Sequence, residues 1–215
     1  MCEKGVRGPR FGKTKADRKK SDPSGSSVKP GIYKVVFSFK DHSDSTLVSV
    51  IDDPRINMDL QEWEAQLTFQ RSLHAPTKEL ATAVERLYDV KESLDAFEKL
   101  LKLRTANDSN LFKPILSEIK AFKKKIEEER LALFGKENVK GYFEQPETWA
   151  HINGKFGSYL WQMRGKPTTN LLAIHNLWLE KTTEATIRVQ EMLNNDWLAL
   201  SEQFKTELPV LTSHA

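Results

Sequence analysis

The sequence predicts a mainly α protein, an antiparallel bundle of three to four helices preceded by a β-hairpin. Three observations predict it. Tyr33, Val35, Phe37 and Phe39 alternate with Lys34, Val36 and Ser38, the period of two that marks a strand. Leu80, Ala83, Leu87, Val90, Leu94, Phe97 and Leu101 keep an alternating 3–4 spacing, the seam of a long helix. Gly, Pro and capping residues then cut the rest of the chain into helix-length segments.

Residues 1–28 lead into this body as a basic, irregular tail. Up to Lys29 the chain holds nine Lys/Arg against Glu3, Asp17 and Asp22, interspersed with Gly, Ser and Pro. Such a composition buries too little apolar surface to offset its ordering entropy. The chain carries a net charge of +3, so the basic character belongs to this tail and the body is slightly acidic.

The hairpin is expected over residues 29–56. Pro30-Gly31 marks a turn, and Tyr33, Val35, Phe37 and Phe39 form the apolar face of a first strand. The polar run Asp41–Ser45 reads as the connecting loop, with a second strand over Thr46–Ile51. Two strands cannot bury a face by themselves. The face through Phe37 is therefore expected to dock on the helices, on the N-terminal tail or on a second copy.

The helical bundle is expected over residues 57–211. Asp59 with Glu62 is a capping-box pattern, and Pro76 should interrupt the helix it opens near His74. The Leu80–Leu101 seam follows, and Asn107–Asn110 ends it. A second helix is predicted from about Leu111 to Phe134, with Ile115, Ile119, Phe122, Ile126 and Leu133 inward and Gly135 as its C-terminal cap. Its other side, Lys123–Lys125 and Glu127–Glu129, reads as solvated.

After a loop over 136–145, Pro146 suits the first turn of a shorter helix bearing Trp149, Ile152, Phe156, Tyr159, Leu160 and Met163. Gly154 and Gly157 are unfavourable inside it, and close packing is the expected reason for them. Thr168 or Thr169 then caps a last long helix carrying Leu171, Trp178, Ala185, Val189 and Met192. Its stripe shifts by about one residue to Leu193, Trp197, Leu200 and Phe204, and Pro209 stops it.

No segment is apolar for the ~18 residues a membrane span needs. Cys2 is the sole cysteine, which excludes internal disulfides and cysteine-based metal clusters. Gly8–Thr14 resembles a phosphate loop but has three residues between its glycines instead of four, and no strand precedes it. The five histidines never pair at metal-ligand spacing. His175 falls in a core stripe, where a hydrogen-bonded structural role is expected. Glu180, Glu184 and Glu191 come nearest to an acid–base set, yet their polar helix face makes solvated surface the default. No catalytic, cofactor or metal site is predicted, and the chain as given is read as no enzyme.

Of the five tryptophans at 63, 149, 161, 178 and 197, most are expected to fill the core. Trp161 lies just off its helix's apolar stripe and, with Phe37, is the candidate interaction surface. The partners in view are a protein or a second copy of the chain; nucleic acid is the less favoured reading of the tail, which has Phe11 alone for stacking.

The order of these pieces resembles the C-terminal region of bacterial sortilin-like proteins, which carry BNR, sialidase-type β-propellers and are often labelled glycosyl hydrolases. The resemblance rests on Pro30-Gly31-Ile32-Tyr33-Lys34-Val35, Asp53-Pro54-Arg55 and Pro167-Thr168 before Leu171–Phe204, within residues 28–211. It implies that the hairpin belongs to a partial immunoglobulin-like sandwich with the helices as an appendage behind it. It also implies an upstream propeller as the natural neighbour, and hence an extracellular or periplasmic setting. No residue matches a catalytic position of that family. The function expected is a non-enzymatic helical accessory or interaction module. One alternative is a fragment of a secreted glycoside-hydrolase-type protein whose active propeller lies outside this chain; another is nucleic-acid binding through the tail.

Overall fold

A computed structural model describes residues 8–9, 28–55, 58–104, 112–136 and 148–207. Strands β1 (Gly31–Phe39) and β2 (His42–Val50) pair antiparallel, Gly31 opposite Val50 and Phe39 opposite His42. The turn is tighter than the polar run suggests. Only Lys40 and Asp41 lie between the strands, Lys40 with φ of 51°. A two-residue turn needs such positive φ to match the strand twist, and the ladder it starts extends through Ser43–Ser45.

Among the described residues six helices follow: α1 (Leu60–Ser72), α2 (His74–Arg104), α3 (Lys113–Phe134), α4 (Trp149–Gln162), α5 (Thr169–Glu191) and α6 (Leu198–Glu207). A π-helical turn at Met192–Trp197 joins α5 to α6 in one rod. The capping box forms as expected: Glu62 N–H donates to Asp59 Oδ1 at 2.8 Å and Asp59 N–H to Glu62 Oε2 at 3.3 Å. Pro76 sits in the first turn of α2, where its missing N–H is harmless, and the break falls at Leu73. Gly135, at φ of 76°, ends α3. Thr148 caps α4, which therefore starts later than a Pro146 start implies; Pro146, Leu111, Asn107–Asn110 and Pro209 lie outside the described residues. Thr168, of the two threonines, caps α5 by accepting from Leu171 N–H at 3.3 Å.

The helices make three columns, up, down and up. Phe97 of α2 meets Phe204 of α6 at 5.0 Å, whereas Leu73, just before α2, packs near Leu171 of α5, so α2 and the rod run together. Both α3 and α4 run back against the rod in succession. Phe122 stacks on Trp197 while Glu129 pairs with Arg188, and Trp149 bonds Thr182 while Phe156 stacks on Trp178. One core gathers Leu80, Leu87, Leu94, Leu101, Ile119, Ile126 and Val189, and a second gathers Leu73, Ile152, Phe156, Met163 and Trp178.

Three expectations need correction. The face of α3 read as solvated contains Glu129, which is buried and held by the Arg188 guanidinium through contacts of 2.9–3.2 Å. A Cβ added at Gly154 or Gly157 would meet nothing within 4 Å, so neither glycine serves close packing here. The face through Phe37 does not dock on the helices: Phe37 is 64 % exposed and Phe39 74 %. Among the described residues the hairpin is tied to the helices at its base, where Lys29 pairs with Glu64 at 3.1 Å and Trp63 Nε1–H donates to Asp52 at 3.3 Å.

Candidate interaction surfaces

Cross-strand register decides what the hairpin presents. Paired residues of an antiparallel ladder share a face, so Tyr33, Val35, Phe37 and Phe39 lie with Val48, Thr46, Asp44 and His42. The opposite face carries Ile32, Val36 and Leu47, all exposed. The opposite face mixes these with Lys34, Ser38, Ser43, Ser45 and Ser49, so the ribbon's apolar, aromatic side is the one through Phe37. At ~3.4 Å per residue its nine-residue strands extend about 30 Å. Tyr33 O–H donates to the Lys29 carbonyl at 2.6 Å, which steadies the root of the ribbon. Contiguous exposed apolar surface of this kind marks contact sites more often than isolated side chains do.

Trp161 lies on the outer side of α4, 83 % exposed, with Tyr159 also exposed nearby in sequence. The other tryptophans have structural roles. Trp149 and Trp178 are buried and donate to Thr182 Oγ1 and Asn153 Oδ1, each at 3.0 Å. Trp197 stacks on Phe122, and Trp63 anchors the hairpin root. Phe37 and Trp161 stand on separate elements, and no contact joins them.

His175 is half-buried between Phe69, Phe156 and Trp178, with ring centroids at 5.0–5.9 Å. Its structural role is aromatic packing. Glu180, Glu184 and Glu191 are exposed on α5. Lys181 donates to Glu184 at 2.9 Å and holds its carboxyl below the ordinary glutamate value, so the group stays ionised. Among the described residues no three His, Cys, Asp or Glu side chains gather to hold a metal ion, and no helix is long and apolar enough to cross a membrane.

The strongest electrostatic feature is an inter-helix cluster that periodicity does not reveal. Buried Glu98 of α2 receives Lys102 and Lys123, the latter from α3 at 2.8 Å, and Lys123 also reaches Asp95. Hydrogen bonds from Lys102, then Lys123, draw the Glu98 carboxyl down to about 2. This cluster fixes α3 on α2 and offers no open coordination position. Comparison with protein families, with curated proteins and with solved structures finds no match to the chain.

Proposed function

We propose that this chain is a non-enzymatic helical interaction module that presents its hairpin to the β-sheet of a protein. The carrying observation is the exposure of Phe37 and Phe39 on a ribbon whose two edges are unpaired among the described residues. A sheet edge offers unused N–H and C=O groups for strand addition, and the aromatic face would then be covered by the sandwich so completed. A helical bundle with two cores of its own supplies the rigid mount.

Two hairpins packed face to face suit this role poorly. A face ~30 Å by ~10 Å removes roughly 600 Å² in total, well under the ~1,200 Å² of a stable interface. A larger pre-existing sheet adds edge hydrogen bonds to the apolar contact. The sortilin-like resemblance points to such a sheet, an immunoglobulin-like sandwich beside a propeller, and the exposed hairpin is what a module parted from that sandwich would display.

A photo-crosslinking residue placed at Phe37, in extract of the source organism, tests this. Capture of a β-sandwich protein, lost when Phe39→Ser is added, supports the proposal. Labelling with no preference for any sheet protein, or robust hydrolysis of a glycoside by the chain alone, would sink it.

A further inference from the structure

The solvent side of α5 carries an uncharged ridge. Leu172, Asn176, Leu179, Thr183, Ile187 and Gln190 recur at spacings of four and three, and all six are exposed. In a chain with 29 % charged residues, an exposed ridge of this length without one charge departs from an ordinary solvated face. The ridge spans 19 residues, about 27 Å of helix from first to last. Its middle is a shallow groove of about 440 Å³ lined by Asn176, Leu179, Glu180, Thr183, Glu184 and Ile187.

One flank of the ridge is acidic. Glu180, Glu184 and Glu191 stand at i, i+4 and i+11, a single row beside it. Two cations share that side. Lys181 lies between Glu180 at 3.8 Å and Glu184 at 2.9 Å, and Arg188 is engaged by buried Glu129. Three carboxylates against one shared lysine leave the row negative.

We infer that this ridge docks an amphipathic helix of a partner protein, its apolar stripe against Leu179 and Ile187 and a row of Lys or Arg beside Glu180, Glu184 and Glu191. A helix suits the site because a straight 27 Å ridge offers side chains at helical spacing for ridges-into-grooves packing. Charge selects among occupants. A second copy paired antiparallel about a two-fold axis would set its own acidic row against this one. An anionic lipid surface would meet the same repulsion. A basic edge on the incoming helix satisfies both the stripe and the row. The site is separate from the hairpin, so it stands or falls independently of the sheet-binding role.

Calorimetric titration of the full chain with two synthetic 18-residue helices decides the matter. They share one leucine face, flanked by Lys in the first and by Glu in the second. The Lys-flanked helix is expected to bind one to one, more weakly as salt is raised, and the Glu-flanked helix not at all. Ile187→Asp and Leu179→Asp should each weaken binding about tenfold or more, with melting curves showing both variants folded. Glu180→Gln, Glu184→Gln and Glu191→Gln together should keep the fold and flatten the salt dependence. Equal binding of the two helices, no binding of either, or affinity insensitive to Ile187→Asp overturns the inference. So does sedimentation showing self-association of the chain that Ile187→Asp abolishes.

Discussion

Thr182 has no exposed surface, and its hydroxyl serves two partners. It accepts from Trp149 Nε1–H at 3.0 Å and donates to the Trp178 carbonyl at 2.7 Å, joining α4 to α5 inside the core. Thr182→Val keeps the shape and removes the acceptor, leaving a buried indole N–H without a partner. The expected loss is about 1–3 kcal/mol, read from urea denaturation, while Thr182→Ser should retain most of the stability. Nothing in the periodicity marks Thr182. Trp149 and Trp178 were legible as core residues because they fall on apolar stripes, but the polar contact that fixes their orientation depends on two helices meeting. Glu129 is the same case: a charged residue in a Lys/Glu run becomes buried only because Arg188, 59 positions on, arrives beside it.

At the scale of elements, the helices and several of their ends were written locally. Asp59 with Glu62, Gly135 and Thr168 act within a turn of their own positions, so a linear reading finds them. The shift of the apolar stripe after Met192 was legible as well, and its structural form is the π turn at Met192–Trp197. An α-helix advances ~100° per residue, so one surplus residue in the turn would rotate Leu200 and Phe204 off the core. The π turn absorbs that residue and returns them inward. Deleting exposed Asn195 should then give a continuous α-helix with its stripe in register, at a cost within about 1 kcal/mol. Deleting exposed Glu184 instead turns Ala185, Val189 and the other side chains before the π turn away from the core and should weaken or abolish cooperative unfolding. Circular dichroism melts of the two deletions make the comparison; similar curves would refute the role given to the π turn. The hairpin turn was misplaced because Ser43, Asp44 and Ser45 look like loop residues, yet a ladder open to water on both faces tolerates them.

For the whole molecule, ion pairs join the columns as well as the cores do. Glu98 binds protons less readily when folded than when unfolded, since Lys102 and Lys123 hold its carboxyl at about 2. Its contribution is therefore complete above the ordinary glutamate value of ~4.3 and is lost as pH falls from there towards 2. Melting temperature should decline across that window, and Glu98→Gln should lower stability at neutral pH and flatten the decline. A parallel loss in both proteins would show that other carboxylates carry the acid sensitivity. Among the described residues the hairpin is joined to the bundle by the Lys29–Glu64 pair and the Trp63–Asp52 bond at its root, away from this cluster.

The sequence by itself determined the helices, several of their caps, the strand pair and most of the apolar residues facing the cores, because period, capping and turn chemistry act over one to four positions. The candidate surfaces were only partly legible. Trp161 stood out by lying off its stripe, but the ridge along α5 holds ordinary uncharged residues whose continuity appears only once the other faces of the helix are covered. Tertiary structure alone decided that Phe37 and Phe39 of the hairpin stay exposed, that a side chain at Gly154 or Gly157 would meet nothing within 4 Å, and that Glu98 and Glu129 are paired inside. Burial depends on which surfaces arrive opposite one another in space. Alternation in a strand shows which side chains share a face, and it does not say whether anything covers that face.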